Sequence, residues 1–464
     1  MFKLNVNNKL QLIVCELKES LSLSFPLIAS QLVYASSGVI TTIMIAHLGY
    51  KELATNVLVW SFYIALISIS FGTLSSVSVL VAHSHGINDR QGMSIAVNQG
   101  IILAFILAIP MMLVIWFAPT ILYLTNQNTD IIELAIPYFH SLIWCILPLN
   151  LLIVMEQFLI GTSITKFVLF LSFFRVPLEI LFFYTLFFGT CGIPKLGLVG
   201  IGYGMTLSIL FSLIIISCYL CFSKKVRQYQ LFSNFCHFNS KYFFELIRVG
   251  WPLGMMYCIE MTLFAAVALM MGQFGEHILA AHQIAYQCFV FTLAIIFGIS
   301  QGITVRIGRT IGNNNKDTIE LALYVNLSIG FCFMLIATII FIYFPKNIIT
   351  LSVNINPLSN NILIDHATLF LFMTGILQLS ENFRLITTGA LRALKDTKIS
   401  MYINLITFWL IAFPSVYLLA FTFNVGAIGV WLGLIVGLSI GALTLMLRFK
   451  YTLKYISLER LITR

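Results

Sequence analysis

The sequence predicts an all-α polytopic membrane protein with twelve transmembrane helices in two parallel-repeat six-helix lobes. Three observations carry that class. Only 9% of the 464 residues are charged and 59% are hydrophobic, whereas a soluble domain carries about 25% charged residues. The apolar runs are long enough to cross a hydrocarbon core, which takes about 20 residues. The punctuation of the first half returns in the second at a constant offset.

The runs are helical and not strand-like, because stretches such as "IILAFILAIPMMLVIWFAP" from Ile101 to Pro119 lack the period-two alternation of a transmembrane strand. Polar breaks place the spans at 22–46, 52–84, 94–118, 130–160, 166–188 and 196–222, then at 246–272, 276–311, 318–344, 362–393, 397–424 and 427–450. Before the first span stand Lys3, Lys9, Lys18, Glu16 and Glu19, with no continuous apolar stretch ending at a small-residue cleavage site. The first span itself is therefore expected to direct insertion. The longest polar break, Ser223 to Leu246, falls at mid-chain. The expected organisation is a cytoplasmic segment over 1–21, an N-lobe over 22–222, a linker over 223–245, a C-lobe over 246–450 and a tail over 451–464.

The repeat fixes how the lobes are related. Pro26 and Pro252, Gly49 and Gly275, Leu53 and Leu279, Ala54 and Ala280, and Phe71-Gly72 and Phe297-Gly298 are each 226 residues apart. Gly197 and Gly426 are 229 apart. An even number of spans in each half sends both halves into the membrane from the same side, about an axis along its normal.

Basic residues set the orientation. With both termini in the cytoplasm, 21 of the 26 Lys and Arg fall on that side and only Lys51, Lys195 and Lys346 on the other. Arg175 and Arg384 lie inside spans. The formal charge of +9 is thereby a matter of topology and not of nucleic-acid binding. The nine cysteines sit mostly in apolar spans and suggest no disulfide framework. Cys218-x-x-Cys221 with Cys236 and His237 is a weak metal-ligand pattern, since a zinc site needs four convergent ligands.

Ionisable residues inside spans point to function, because they are costly there. Glu260 stands mid-span in "GMMYCIEMTLF", with Tyr257 three residues earlier on the same helix face. Glu381 stands mid-span in the tenth, with Arg384 at i+3, and Arg175 and Glu179 are spaced i,i+4 in the fifth. His282-Gln283 forms a polar pair in the eighth span, and Asn56 lies 226 residues before His282.

The stretches "AVALMMGQFGEHILAAHQIAYQ", "GISQGITVRIGRTIG" and "TTGALRALKDTK" of the second half, with "IMIAHLGYKELA" and "IPKLGLVGIGYG" of the first, resemble multidrug and toxic compound extrusion transporters. The resemblance runs from about Leu21 to Lys450 and is nearest the NorM-type branch. It implies a V-shaped pair of six-helix bundles around a central cavity. It also implies export of a bulky organic substrate against inward Na⁺ or H⁺, without a cofactor or enzyme activity. Glu260 and Glu381 match that branch's acidic coupling positions, and the resemblance puts His282 and Gln283 in the interior of the C-lobe. Asn56, Tyr257, Arg175, Glu179 and Arg384 are candidates for lining or supporting the cavity. Thr41 stands where another branch has an Asp, and Leu377 where a tyrosine is expected. Arg175 and Glu179 replace two neutral amides of the family pattern.

Glu260 has no basic residue at i±3 or i±4, where Met256, Tyr257, Leu263 and Phe264 stand. Removal from water favours the neutral form of such a carboxylate. Protons are therefore the expected driving ion, with Glu260 as carrier and Arg384 holding Glu381 ionised, and Na⁺ is the alternative. The expected surroundings are a small-molecule substrate and the lipid bilayer of a bacterial inner membrane, with a monomer as the working unit. The alternative function is a lipid-linked precursor flippase of the same superfamily. Its pyrophosphate head group calls for a cationic cavity, which spans holding Glu179, Glu260 and Glu381 do not suit.

Overall fold

The computed structural model describes residues 6–46, 50–124, 129–190, 192, 194–229, 231, 238–352 and 361–462. Among these described residues sixteen α-helices follow in order: α1 (Val6–Ala46), α2 (Tyr50–Leu74), α3 (Ser76–Gly86), α4 (Arg90–Leu124), α5 (Thr129–Gly161), α6 (Thr165–Phe188), α7 (Leu198–Phe222), α8 (Lys224–Arg227), α9 (Ser240–Gly272), α10 (Glu276–Thr310), α11 (Lys316–Tyr343), α12 (Pro345–Ser352), α13 (Asn361–Ala393), α14 (Thr397–Leu405), α15 (Phe413–Tyr417) and α16 (Ala427–Tyr455). Eleven helical segments among the described residues are long and apolar enough to cross a membrane. They correspond to the second through twelfth expected spans, and α1 covers the first.

Two spans depart from plain α-helix. The second is divided at Ser75, whose hydroxyl donates to Gly72 O at 2.6 Å, so α2 and α3 follow each other with a local break. The eleventh widens into π-helix over Ile406–Ala412 and Leu418–Thr422, on either side of α15 and its Pro414. Proline lacks the N–H that the ladder needs, and π-turns absorb such interruptions. α11 begins in the ordinary way, with Asn315 Oδ1 accepting from the backbone N–H groups of Asp317 and Thr318 at 3.0 and 3.3 Å.

Packing divides the chain into two compact units. One comprises Met1–Gln31 and Met255–Leu461, the other Leu32–Gly254 and Ile462–Arg464. These boundaries differ from the sequence-derived lobes at 22–222 and 246–450. They fall inside the continuous helices α1 and α9 and not in the 223–245 linker. The physical reason is close backbone packing at glycines, and it obeys the repeat. In one unit, a Cβ on Gly298 would lie 2.7 Å from Ile28 Cα, so α1 sits directly on α10 near its middle. In the other, a Cβ on Gly72 would lie 2.6 Å from Gly254 Cα, so the first half of α9 sits directly on α2. Adding 226 to 28 and 72 gives 254 and 298. The next step is also paired, with Ser24 against Gly302 in one unit and Gly250 against Ser76 in the other.

Candidate functional site

In the unit built from α9–α16, helix spacing brings Glu381 and Arg384 to one face of α13, and that face meets Glu260 on α9. Arg384 Nη2 donates to Glu260 Oε2 at 2.9 Å and approaches Glu381 Oε2 at 2.8 Å. Its Nε donates to Glu381 Oε1 and Oε2 at 3.1 and 2.9 Å. Nη1 donates to Asn404 Oδ1 on α14 at 3.4 Å, and the guanidinium carbon lies 4.9 Å from the centre of the Phe408 ring. Asn404 Nδ2 in turn reaches Met256 Sδ at 3.2 Å. The side chains of Arg384, Glu260 and Glu381 keep 2%, 6% and 0% of their surface. One planar guanidinium fork therefore holds two buried carboxylates, which is the geometry Arg supplies and Lys does not.

No basic residue stands at i±3 or i±4 of Glu260, as the sequence shows, but Arg384, expected to hold Glu381, holds Glu260 as well. The partner of Glu260 comes from 124 residues away, across a helix interface, where i±4 counting has no reach. The cluster holds two carboxylates and one guanidinium, a net charge of −1 when all are ionised. A single added proton makes it neutral. Among the described residues, Glu260 Oε1 is the carboxylate oxygen of the pair left without a hydrogen bond.

The other predicted residues fall around this core or apart from it. Tyr257 lies one turn from Glu260 and is paired with Arg392, two turns beyond Arg384 on α13. Leu377 is fully buried in the apolar core of the same unit. His282 is buried against Trp431, with ring centres 5.4 Å apart, and its Nδ1 has no hydrogen-bond partner among the described residues. Gln283 is exposed, so of the polar pair expected in the C-lobe interior only His282 is buried. Asn56 belongs to the other unit, where its Oδ1 accepts from the Tyr138 hydroxyl at 3.0 Å.

That unit, built around α2–α7, holds a second buried ionic cluster. Arg175 Nε lies 3.6 Å from Glu179 Oε2 on α6, so the expected i,i+4 contact is present. The pair is not isolated. Ser37 on α1 donates to Glu179 Oε1 at 3.1 Å, Tyr34 donates to Glu156 Oε1 on α5 at 3.1 Å, and Arg175 lies over the Tyr34 ring at 5.3 Å. The sequence reading missed Glu156, although a carboxylate in the apolar run "LLIVMEQFLIG" was the same signal that singled out Glu260. The two clusters occupy related places: Tyr34 lies 226 residues before Glu260, and Arg175 lies 229 before Asn404. Basic and neutral roles have exchanged helices between the halves.

Cys218 and Cys221 are exposed free cysteines, while Cys236 and His237 lie outside the described residues. Among the described residues no group of three or more His, Cys, Asp and Glu could hold a metal ion.

Comparison with known proteins agrees with this architecture. The MatE family model matches residues 26–185 and 252–418, once in each half. A protein of Brucella suis biovar 1 named "Probable multidrug resistance protein NorM" is 30% identical over 444 residues, covering 95% of this chain and 94% of its own. A protein of the same name from Synechocystis is 27% identical over 435 residues, covering 94% of each chain. Among solved structures, a crystal structure of MATE in complex with MaL6 superposes with a TM-score of 0.87 at 19% identity, over 96% of this chain and 97% of that one. The eukaryotic MATE transporter AtDTX14 superposes with a TM-score of 0.82 at 20% identity, over 97% and 98% of the two chains.

Proposed function

Because the chain belongs to the MatE family of integral membrane transporters, we propose that it is a cation-coupled antiporter that exports amphipathic organic solutes, driven by protons through Glu260, Glu381 and Arg384. Its relatives are named multidrug resistance proteins and transporters, not enzymes. Their printed names are the support for a drug-like organic substrate.

One observation carries the choice of ion: Arg384 already occupies the carboxylate pair. Both oxygens of Glu381 and one of Glu260 accept from the guanidinium, which leaves Glu260 Oε1. Na⁺ binding draws on several hard oxygen ligands. Arg384 competes for those oxygens and repels a second cation. A proton needs one oxygen and no vacant coordination sphere. The two carboxylates share that proton as a pair, since like charges resist joint ionisation. Glu260 makes one bond to Arg384 and keeps Oε1 free of it, whereas both oxygens of Glu381 are engaged.

The cycle then follows from charge. With the proton bound, the cluster is neutral and tolerates a low-dielectric surrounding. Without it, the residual negative charge favours access to water or to a cationic solute. Exchange of proton for solute, with alternating access of two repeat-related lobes, gives antiport. The positive-inside distribution supports cytoplasmic termini, and bacterial relatives support an inner-membrane location. The flippase alternative has less support, because the buried ionic clusters hold carboxylates in excess of guanidinium groups.

The test is efflux from proteoliposomes with either a pH gradient in Na⁺-free buffer or a Na⁺ gradient at uniform pH. Efflux under the pH gradient alone is expected. Efflux that stays silent until Na⁺ is supplied would overturn the proton assignment.

A further inference from the structure

We propose that the open end of the groove between α11 and α16 is a binding site for the phosphate head group of an anionic phospholipid, on the face of the protein richest in Lys and Arg. The site is a cavity of about 310 Å³ lined by Lys316, Glu320, Phe449, Lys450, Leu453 and Lys454. α11 and α16 both pack against α13, so they flank it as two walls. At their ends Lys316 Nζ donates to Lys454 O at 3.0 Å and ties the walls together.

Charge and polarity match a lipid head. Three lysines and one glutamate line it, Lys454 Nζ lies 5.3 Å from the centre of the Tyr455 ring, and among the described residues no ion pair joins Glu320 to any of the three lysines. The cavity therefore carries uncompensated positive charge. Arg448, the neighbouring cation on α16, is committed to Asp396 at 2.7 Å and does not contribute. Phe449 and Leu453 are buried and form an apolar floor.

The order of residues along the walls selects a lipid over a soluble phosphate. Leu443 and Leu447 share the Lys450–Lys454 face of α16, one and two turns deeper into the span, and are 61% and 59% exposed. On α11, Tyr324 follows Lys316 and Glu320 at i+4 intervals and is 40% exposed. A basic cluster thus gives way to an exposed apolar strip along the membrane normal. That is the sequence of chemistry in a phospholipid, from phosphate to acyl chain. Basic pockets between helix ends recognise anionic head groups in this way.

Native mass spectrometry of the full-length protein, released from detergent with dioleoylphosphatidylglycerol added, tests the site. Dioleoylphosphatidylcholine, dioleoylglycerol and inorganic phosphate serve as the comparison probes. Retention of one phosphatidylglycerol above both comparison lipids is expected. Replacing Lys316, Lys450 and Lys454 by Gln should weaken retention by on the order of 100-fold, from about fivefold per lysine. The matched variant Lys224→Gln/Lys225→Gln/Arg227→Gln removes the same charge elsewhere on that face and should leave retention unchanged. Glu320→Gln should tighten it by about fivefold, and this variant keeps every lysine should the triple variant fail to fold. Equal loss in the pocket and control variants would overturn the site in favour of diffuse charge attraction. No response to Glu320→Gln would also overturn it. Displacement of the lipid by millimolar inorganic phosphate, with no preference for acyl chains, would reassign the cavity to a soluble anion and overturn the lipid proposal.

Discussion

Replacing Glu260 by Gln should uncouple transport while leaving the protein folded. The amide has the shape of the carboxylate and can still accept from Arg384 Nη2, which lies 2.9 Å from Glu260 Oε2. What is lost is the charge. The amide still accepts from a charged guanidinium, so only part of the about 1.5–3 kcal/mol of such a bond is lost and the variant should be destabilised by about 1–2 kcal/mol. Arg384 remains paired, because Glu381 still holds it at 2.8–3.1 Å. No uncompensated buried cation is left, and the larger loss of about 3–5 kcal/mol for breaking a buried pair does not apply. The cluster becomes permanently neutral, which is the charge state of the protonated wild type. It then has no reason to take up or release a proton. In proteoliposomes loaded with a fluorescent lipophilic cation, efflux driven by a pH gradient should fall to the level of protein-free vesicles. Exchange of labelled for unlabelled solute without any pH gradient should persist, since it needs no proton. Wild-type gradient-driven efflux by well-expressed Glu260→Gln protein would refute the reasoning. Loss of solute exchange as well would move Glu260 from ion coupling to solute binding.

Three further outcomes follow from the same structure. Glu381→Gln should cost more stability than Glu260→Gln, about 2–4 kcal/mol, because Glu381 is fully buried and receives Arg384 through both oxygens; thermal unfolding in detergent should rank the two in that order, and the reverse order would contradict the geometry. Gly298→Val should cost about 1–3 kcal/mol, since its side chain would meet the Ile28 backbone at 2.7 Å, while Gly38→Ala, with nothing within 4 Å, should be neutral or slightly stabilising; equal melting temperatures would dismiss the close-packing account. Arg306→Gln should loosen the start of α1, because Arg306 binds Glu16 at 2.6 and 2.8 Å and Glu19 at 2.8 Å, and amide hydrogen exchange there should quicken on the order of 30-fold, from about 2 kcal/mol.

The sequence by itself determined the class, the span positions and the candidate acids, because each of these is governed by local cost. A span must be apolar along its length to sit in hydrocarbon, so hydropathy reads it directly. A carboxylate inside such a run is expensive wherever it points, which marks Glu260 and Glu381 without any structure. The repeat was legible too, since 226-residue pairings of Pro and Gly are a matter of counting. Tertiary structure decided who meets whom. Arg384 reaches Glu260 across 124 residues, and Tyr34 reaches Glu156 across 122, through helix interfaces that periodicity cannot identify. It also decided which face of α10 turns inward, burying His282 and exposing Gln283. It placed the unit boundaries inside α1 and α9, because packing follows the close approach of glycine backbones and not the polarity of a linker. Hydropathy is a property of each residue against its solvent, whereas pairing is a property of two surfaces, and only the folded chain brings those surfaces together.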